Sequence, residues 1–164
     1  MTDRAVINSG PLVALTLAGR LDLLPTLFSE FWIPEVVYQE VAIAGLGRPG
    51  SEQLNTQTWA KHIRPSPEPD PLLIAELDPG EAAVITLARL YTPCLAVIDE
   101  KRGRRIAHHV YGLPVKGTAG LLVEAKRRGL IDDLRLTLLN LKQAGYYLSD
   151  TLIEAACAAA KHPE

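Results

Sequence analysis

Four polar side chains of this 164-residue chain have the types and positions of divalent-cation ligands. Asn8 and Asp99 each follow a short apolar run of strand length. Glu40 lies on a helix predicted after another such run, and Glu81 lies in the first turn of a later helix. Carboxylates that converge repel one another unless a cation neutralises them, and hard oxygen ligands suit Mg²⁺ or Mn²⁺. These residues therefore predict a site at which such an ion activates water and stabilises a phosphodiester transition state.

Each carboxylate also has a purely structural interpretation. The helix dipole favours an acid such as Glu81 in a first turn, Asp99 could cap the helix that follows it, and Glu40 could be an exposed helix residue. The spacing alone leaves both interpretations open. If the site forms, we expect the side-chain oxygens of the four residues to lie mostly within about 10 Å, around one hydrated cation.

The elements that must position these residues alternate between strand and helix. Strands are predicted at 4–8, 31–33, 94–98 and 113–115, with a brief edge strand at 62–64. Helices are predicted at 11–19, 21–28, 34–41, 51–60, 79–91, 102–110, 117–128, 132–144 and 150–161, and the prolines of 65–71 predict an extended connector. The alternation predicts an α/β fold with a mainly parallel sheet, and sites in such sheets form at the carboxyl ends of strands.

Composition bounds the class of protein. Hydrophobic residues make up 48% of the chain and charged residues 22%, which is typical of a globular protein, and the length predicts a single domain over 1–164. No apolar run reaches the ~18 residues of a membrane span, and the first residues lack a signal-peptide pattern. Cys94 and Cys157 form no CxxC motif, so we expect neither a disulfide framework nor a zinc site, and a cytoplasmic location.

Charge is unevenly distributed, although its net value is only −2. Residues 101–128 hold eight Lys and Arg against the single acid Glu124, whereas residues 1–100 are net acidic. A basic block of this kind predicts electrostatic contacts with nucleic-acid phosphates. The candidate RNA-binding residues are Arg102, Arg104, Arg105, Lys116 and Thr118. As alternatives, one arginine could pair with Asp99 or Glu100, Lys116 could be an ordinary surface lysine, and Thr118 could be a helix cap.

Several segments in order resemble the PIN domain, and more narrowly a prokaryotic subfamily of PIN-like predicted nucleases. The resemblance covers roughly residues 4–156 and rests on Val6–Leu12, Ile33–Glu40, Leu77–Ala82, Val97–Arg104, Gly112–Val115 and Gly117–Gly120. It implies a three-layer α/β/α fold and an endoribonuclease that depends on Mg²⁺ or Mn²⁺. It also implies an RNA substrate, a homodimer and, most often, a toxin (VapC-like) paired with an antitoxin protein.

The acidic quartet of the family falls on Asn8, Glu40, Glu81 and Asp99 by this resemblance. Glu81 stands where many members carry Asp, and Asn8 stands where the family expects Asp. An amide oxygen can still bind a metal, but the site loses one negative charge. The sequence therefore favours a metal-dependent ribonuclease with a weakened metal site. The alternative is a catalytically silent PIN-like module that binds RNA or a protein. A Rossmann-type cofactor site is disfavoured because the turn after the first strand has no GxGxxG.

Overall fold

A parallel β-sheet forms the centre of the protein in the computed structural model, which describes residues 1–162 except for the side chain of Gln57. Within that range the sheet has five strands in the order β3-β2-β1-β4-β5. The strands are β1 (Arg4–Ile7), β2 (Glu30–Pro34), β3 (Ile63–Arg64), β4 (Leu95–Val97) and β5 (Val115–Lys116). Every paired neighbour runs parallel, as predicted.

Helices cover both faces of the sheet, which gives the three-layer α/β/α architecture that the resemblance implies. They are α1 (Ser9–Leu17), α2 (Leu23–Leu27), α3 (Glu35–Tyr38), a π-helix (Gln39–Ala44), α4 (Ser51–Leu54), α5 (Gln57–Ala60), α6 (Pro71–Glu76), α7 (Pro79–Leu90), α8 (Lys101–His109), α9 (Thr118–Arg127), α10 (Leu134–Gln143) and α11 (Asp150–Ala160). Helix α7 packs across β1, β2 and β4, while α9 packs with α1, α10 and α11. No helix within residues 1–162 is long and apolar enough to span a bilayer.

The core lies around β1 and β4, the two neighbouring strands that end at the candidate site. Ile7, Ile33 and Ile85 are fully buried, and all three residues of β4 are buried. The register pairs Ile7 with Val97, and the amide of Asn8 then donates to the Val97 carbonyl at 3.0 Å. Since burying one such aliphatic side chain stabilises the fold by ~1.5–3 kcal/mol, the core fixes the strand ends that carry Asn8 and Asp99.

Helix α7 begins where the sequence predicts, at Asp78-Pro79-Gly80-Glu81. The Asp78 carboxylate accepts from the Glu81 amide at 2.8 Å, and the Glu81 carboxylate accepts from the Asp78 amide at 3.2 Å. Pro79 occupies the first helical position, where its missing N–H costs nothing. This reciprocal capping box fixes Glu81 at the N-terminus of α7.

Several predicted boundaries differ from the structure. The helix predicted over 51–60 is two short helices, and the strand predicted at 113–115 is displaced to Val115–Lys116. The helix predicted over 34–41 is a single α-helical turn that continues as the π-helix Gln39–Ala44. The helix predicted over 21–28 is shorter, at Leu23–Leu27, and the carboxylate of its N-cap residue Asp22 pairs with Arg20 at 3.0 Å and makes no capping bond.

Candidate active site at the carboxyl edge of the sheet

Asn8 places an unpartnered acceptor at the end of the central strand. The residue is 5% exposed, and its Oδ1 atom is buried without a hydrogen-bond partner among residues 1–162. A Cβ added at Gly80 would lie 3.2 Å from this atom and 2.9 Å from Oε1 of Glu40. Both oxygens therefore border the same small space above the N-terminus of α7. An unpartnered acceptor next to a carboxylate oxygen favours a cation, a proton or a water molecule there.

Glu40 lies at the exposed rim of this space, in the first turn of the π-helix. Partial burial of its carboxylate raises the pKa of Glu40, and the negative charge of Asp78 raises it further, while a hydrogen bond with the Ser9 side chain opposes the shift. π-Helical turns are rare and occur frequently at functional sites. The wide turn and the raised pKa both place Glu40 among the candidate functional residues.

Glu81 is 6% exposed, and its carboxylate has one oxygen in the capping box. Burial raises the pKa of Glu81, the charge of Asp78 adds to the shift, and the hydrogen bond from the Asp78 amide opposes it. Weaker contributions in the raising direction come from Glu100 and Glu40. The charge of Glu40 therefore affects the pKa of Glu81, although the position of the Glu81 carboxylate is fixed by the helix cap.

Asp99 is held by Thr118 through both of its carboxylate oxygens. Oδ1 accepts from the Thr118 amide at 2.6 Å, and Oδ2 accepts from the Thr118 hydroxyl at 2.8 Å. Burial raises the pKa of Asp99, while these two bonds and the charge of Arg104 oppose the shift. Asp99 thus caps the first amide of α9, not the helix that directly follows it in sequence, whose N-cap is Glu100.

Thr118, one of the candidate RNA-binding residues, holds Asp99 in place. The residue is 1% exposed, and its hydroxyl donates to Asp99. Thr118 is therefore a positioning residue for Asp99, and its contact with RNA stays a prediction.

Glycines allow the backbone to approach these carboxylates closely. A Cβ at Gly10 would lie 3.2 Å from Oδ2 of Asp99, and one at Gly117 would lie 2.9 Å from its Oδ1. Gly10 and Gly117 beside Asp99, and Gly80 beside Glu40, thus place backbone without a side chain next to these carboxylates. The absence of side chains at these positions keeps the space between the polar groups open.

The four predicted ligands follow or face the carboxyl ends of β1 and β4, but they do not form one ready-made cage. Within residues 1–162, no three His, Cys, Asp or Glu side chains are grouped so that they could hold one metal ion. Glu81 has one oxygen in its helix cap, and Asp99 has both oxygens on Thr118. The pair with an open acceptor space between them is Asn8 and Glu40.

The predicted RNA-binding cations on α8 differ in what they contact. Arg102 points away from the site and pairs with Glu76. Arg104 folds back, and its guanidinium donates to the carbonyls of Ile98 and Asp99. Arg105 is exposed. Lys116, on β5, is half-buried beside Gly120.

A basic cleft of about 250 Å³ runs along α8 and contains three basic side chains that were not predicted from the sequence to contact RNA, Lys101, His108 and His109. Its lining consists of Lys101, Arg104, Arg105, His108, His109 and Val115. The sequence pattern that could have predicted this cleft is the helical spacing, because positions 101, 104, 105, 108 and 109 share one helix face. The adjacent residues His108 and His109 both line this cleft.

A second cavity, of about 270 Å³, borders Asp99 on the other side of Arg104. It was also missed from sequence. Aromatic side chains of the loop between α10 and α11 form one wall, and among them Tyr147 is 87% exposed. No local pattern in the sequence places this loop beside Asp99, because about 50 residues separate them along the chain.

A family model described as the PIN domain matches residues 4–162. The chain belongs to the PIN-domain family. The match extends slightly beyond the 4–156 of the sequence resemblance, and it agrees with the parallel sheet and its two helical layers. Among curated proteins and among solved structures, no match was found. The PIN domain is a nuclease-type fold, so its carboxyl edge is the place to look for hydrolytic chemistry.

The donor set of this PIN domain fits a hard divalent cation. PIN domains generally depend on such ions, and here the open space lies between an amide oxygen and a carboxylate. Mg²⁺ and Mn²⁺ prefer oxygen ligands and keep several waters in their shells. These oxygen ligands therefore suit a divalent ion, with less negative charge than four carboxylates would give.

Proposed function

We propose that this PIN domain is a divalent-metal-dependent endoribonuclease. The observation that carries the proposal is the buried, unpartnered Oδ1 of Asn8 opposite the Glu40 carboxylate at the carboxyl edge of the sheet. A buried acceptor without a partner is costly, by ~1–3 kcal/mol, so its persistence at this place favours a bound cation in the working state.

The residues divide into ligands, positioning groups and phosphate contacts. Asn8 and Glu40 would hold Mg²⁺ or Mn²⁺ directly, and Glu81 and Asp99 would do so directly or through water. The ion, when bound, supplies Lewis-acid activation of water and neutralises developing charge on the phosphodiester. Thr118 orients Asp99 throughout.

Single-stranded RNA would reach this site along the basic cleft of α8. Lys101 and Arg105 are exposed in the cleft, so they are placed to contact phosphates without reading bases. Changing Arg105 to Glu should weaken binding of all RNA sequences and flatten the salt dependence of binding. The matched control is Arg102→Glu on the same helix, which should have a smaller effect because Arg102 faces Glu76.

The decisive experiment is the variant Asn8→Asp. Restoring the carboxylate should tighten Mn²⁺ and Mg²⁺ binding in calorimetric titrations and raise the rate of RNA cleavage. Asn140→Asp, on the exposed surface of α10, makes the same change in net charge away from the site and should alter neither quantity. An Asn8→Asp variant that binds metal and cleaves RNA as the native chain does would refute the proposed role of Asn8.

A second candidate function is a catalytically silent module that binds RNA or a protein. The observation that favours it is the occupation of Glu81 and Asp99 by internal hydrogen bonds, in a site that already lacks one charge. Tighter metal binding by Asn8→Asp without any cleavage would support this candidate over the enzyme.

The toxin role, the antitoxin partner, the homodimer and the cytoplasmic location are further parts of the proposal. Helices α10 and α11 expose the apolar side chains of Leu136, Leu139 and Leu152, which supports a partner surface on the C-terminal helices. A small open reading frame of antitoxin size directly upstream would support the toxin role. Light scattering of the purified chain, alone and with that product, measures which assembly forms.

A further inference from the structure

The cavity beside Asp99 lies where a substrate at the proposed site would continue. It is defined here as the Tyr147 pocket and is lined chiefly by Asp99, Arg104, Thr118, Tyr146, Tyr147 and Leu152. Asp99 and Arg104 belong both to this pocket and to the surroundings of the acidic edge. A chain whose phosphodiester lies at Asn8 and Glu40 therefore has the pocket within reach of a neighbouring nucleotide.

The walls of the pocket combine an aromatic surface with a cation. Tyr147 is 87% exposed, and among residues 1–162 its side chain makes no hydrogen bond and no ring contact. Large aromatic side chains rarely remain so exposed without a partner, and an exposed ring that borders a charged groove suits a planar ligand. Arg104, which also lines the pocket, provides a guanidinium that is fixed by the carbonyls of Ile98 and Asp99.

The loop that carries Tyr147 is anchored at both ends. Helix α10 ends at Gln143. Gly145, two residues later, has a φ of +100°, the left-handed conformation that glycine favours, and the Tyr146 amide donates back to the Leu141 carbonyl at 3.0 Å. On the other side, Leu148 is 3% exposed, and the Ser149 hydroxyl caps α11 through the Leu152 amide. The exposed ring thus projects from a short, fixed segment, which limits the entropy lost on binding.

We propose that the Tyr147 pocket binds one unpaired nucleobase of single-stranded RNA, next to the phosphodiester that lies at the acidic edge. The proposal rests on the proposed function and deepens it by assigning a subsite for one base of the RNA. Stacking on Tyr147 supplies the affinity for the base, and Arg104 faces its sugar-phosphate. A base inside a duplex does not reach a side pocket without leaving its stack, so the pocket selects single strands.

The test measures binding by fluorescence anisotropy, in a chelator so that no cleavage occurs. The probes are a labelled eight-nucleotide oligouridine and an abasic ribose-phosphate oligomer of the same length and charge. For the native chain we expect the oligouridine to bind about 5- to 100-fold more tightly than the abasic oligomer, since stacking of one base contributes about that factor. Tyr147→Ala should remove this preference and leave the abasic oligomer unaffected, while Tyr147→Phe should keep it within about twofold.

The matched control is Leu90→Ala, which truncates another exposed apolar side chain at the far end of α7 and should change neither affinity. Melting temperatures of both alanine variants should stay within a few degrees of the native value, because exposed substitutions rarely alter stability by more than ~0.5 kcal/mol. If Tyr147→Ala binds the oligouridine as the native chain does, or weakens both probes equally, the base pocket is wrong.

The outcomes also separate this inference from the proposed function. RNA binding that depends on Tyr147, with no cleavage by the native chain or by Asn8→Asp in Mn²⁺, supports the pocket and refutes the nuclease. Cleavage that proceeds equally with Tyr147→Ala, without any preference for bases, supports the nuclease and refutes the pocket.

Discussion

The acidic edge and the aromatic cluster of Phe31, Trp59 and His62 both contain a group with a shifted pKa. In the cluster, the His62 ring stacks on Phe31 at 3.9 Å between centroids, and Trp59 lies against Phe31 at 5.8 Å. Burial lowers the pKa of His62, just as burial raises the pKa of Glu40. The cause is the same in both regions.

The difference lies in the hydrogen-bond partners. A ring nitrogen of His62 has the Phe31 carbonyl at 3.1 Å, so the buried polar atom of the cluster is satisfied. Asn8 has no such partner in the structure described for residues 1–162. A pKa shifted by burial is therefore common to structural and functional regions of this molecule, and the unpartnered acceptor is the feature that separates them.

The largest expected effect is on Glu40. Glu40→Gln removes a charge from the open space and should lower the rate of RNA cleavage by at least ~100-fold. Without divalent ions, its melting temperature at neutral pH should not fall, because burial already disfavours the charged form of Glu40. The control is Glu35→Gln one turn earlier, at an exposed position. Cleavage by Glu40→Gln at the native rate would remove Glu40 from the site.

A smaller effect is expected at Thr118, which tests whether Asp99 depends on its partner. Thr118→Val keeps the shape but removes the hydroxyl donor, so the stability should fall by ~1–3 kcal/mol and the activity by ~10- to 100-fold. Urea unfolding and RNA cleavage measure the two quantities. Thr86→Val is the control, since its hydroxyl bonds only the Ala82 carbonyl within α7. Equal losses for both variants would show that Thr118 has no special role.

The smallest effect is expected at His62, and it depends on pH. Because the folded state lowers the pKa of His62, the neutral ring contributes stability above the ordinary histidine pKa of ~6.5, and that contribution is lost as pH falls through the lower, folded pKa. His62→Phe should cost about 1 kcal/mol at pH 7.5 through its lost hydrogen bond, and the difference from the native chain should shrink toward pH 5. Urea unfolding at both pH values measures it, with RNA cleavage unchanged. Reduced RNA cleavage by His62→Phe would contradict the purely structural role of the aromatic cluster.

The parts of the site that follow local rules were predictable from the sequence. The capping box at Asp78–Glu81 depends only on residue types three positions apart, and Asn8 follows a strand whose apolar residues are consecutive. The parallel sheet followed from the alternation of such segments. Each of these features depends on residues that lie within about ten positions of one another in the sequence.

The parts that depend on distant contacts were not predictable. Asp99 bonds Thr118, 19 residues away, because the register of β4 and β5 brings them together. The π-helix at Gln39–Ala44 has no sequence pattern of its own that distinguishes it from an α-helix. Arg102 and Arg104 make different contacts because nearby positions on a helix face different elements. Arg102 faces α6, and Arg104 faces the end of β4.

The bare backbone at Gly80 has a consequence for how relatives of this chain should be classified. Gly80 sits in the first turn of α7 with no positive φ, so alanine is conformationally acceptable there. Its methyl group, however, would fall 2.9 Å from the Glu40 carboxylate and push it away from Asn8. A homologue with that single methyl would retain every acidic residue, yet its glutamate carboxylate would have to take another position. Sorting such sequences by their carboxylates alone would overlook this change, so the residue at the position of Gly80 should be read together with them.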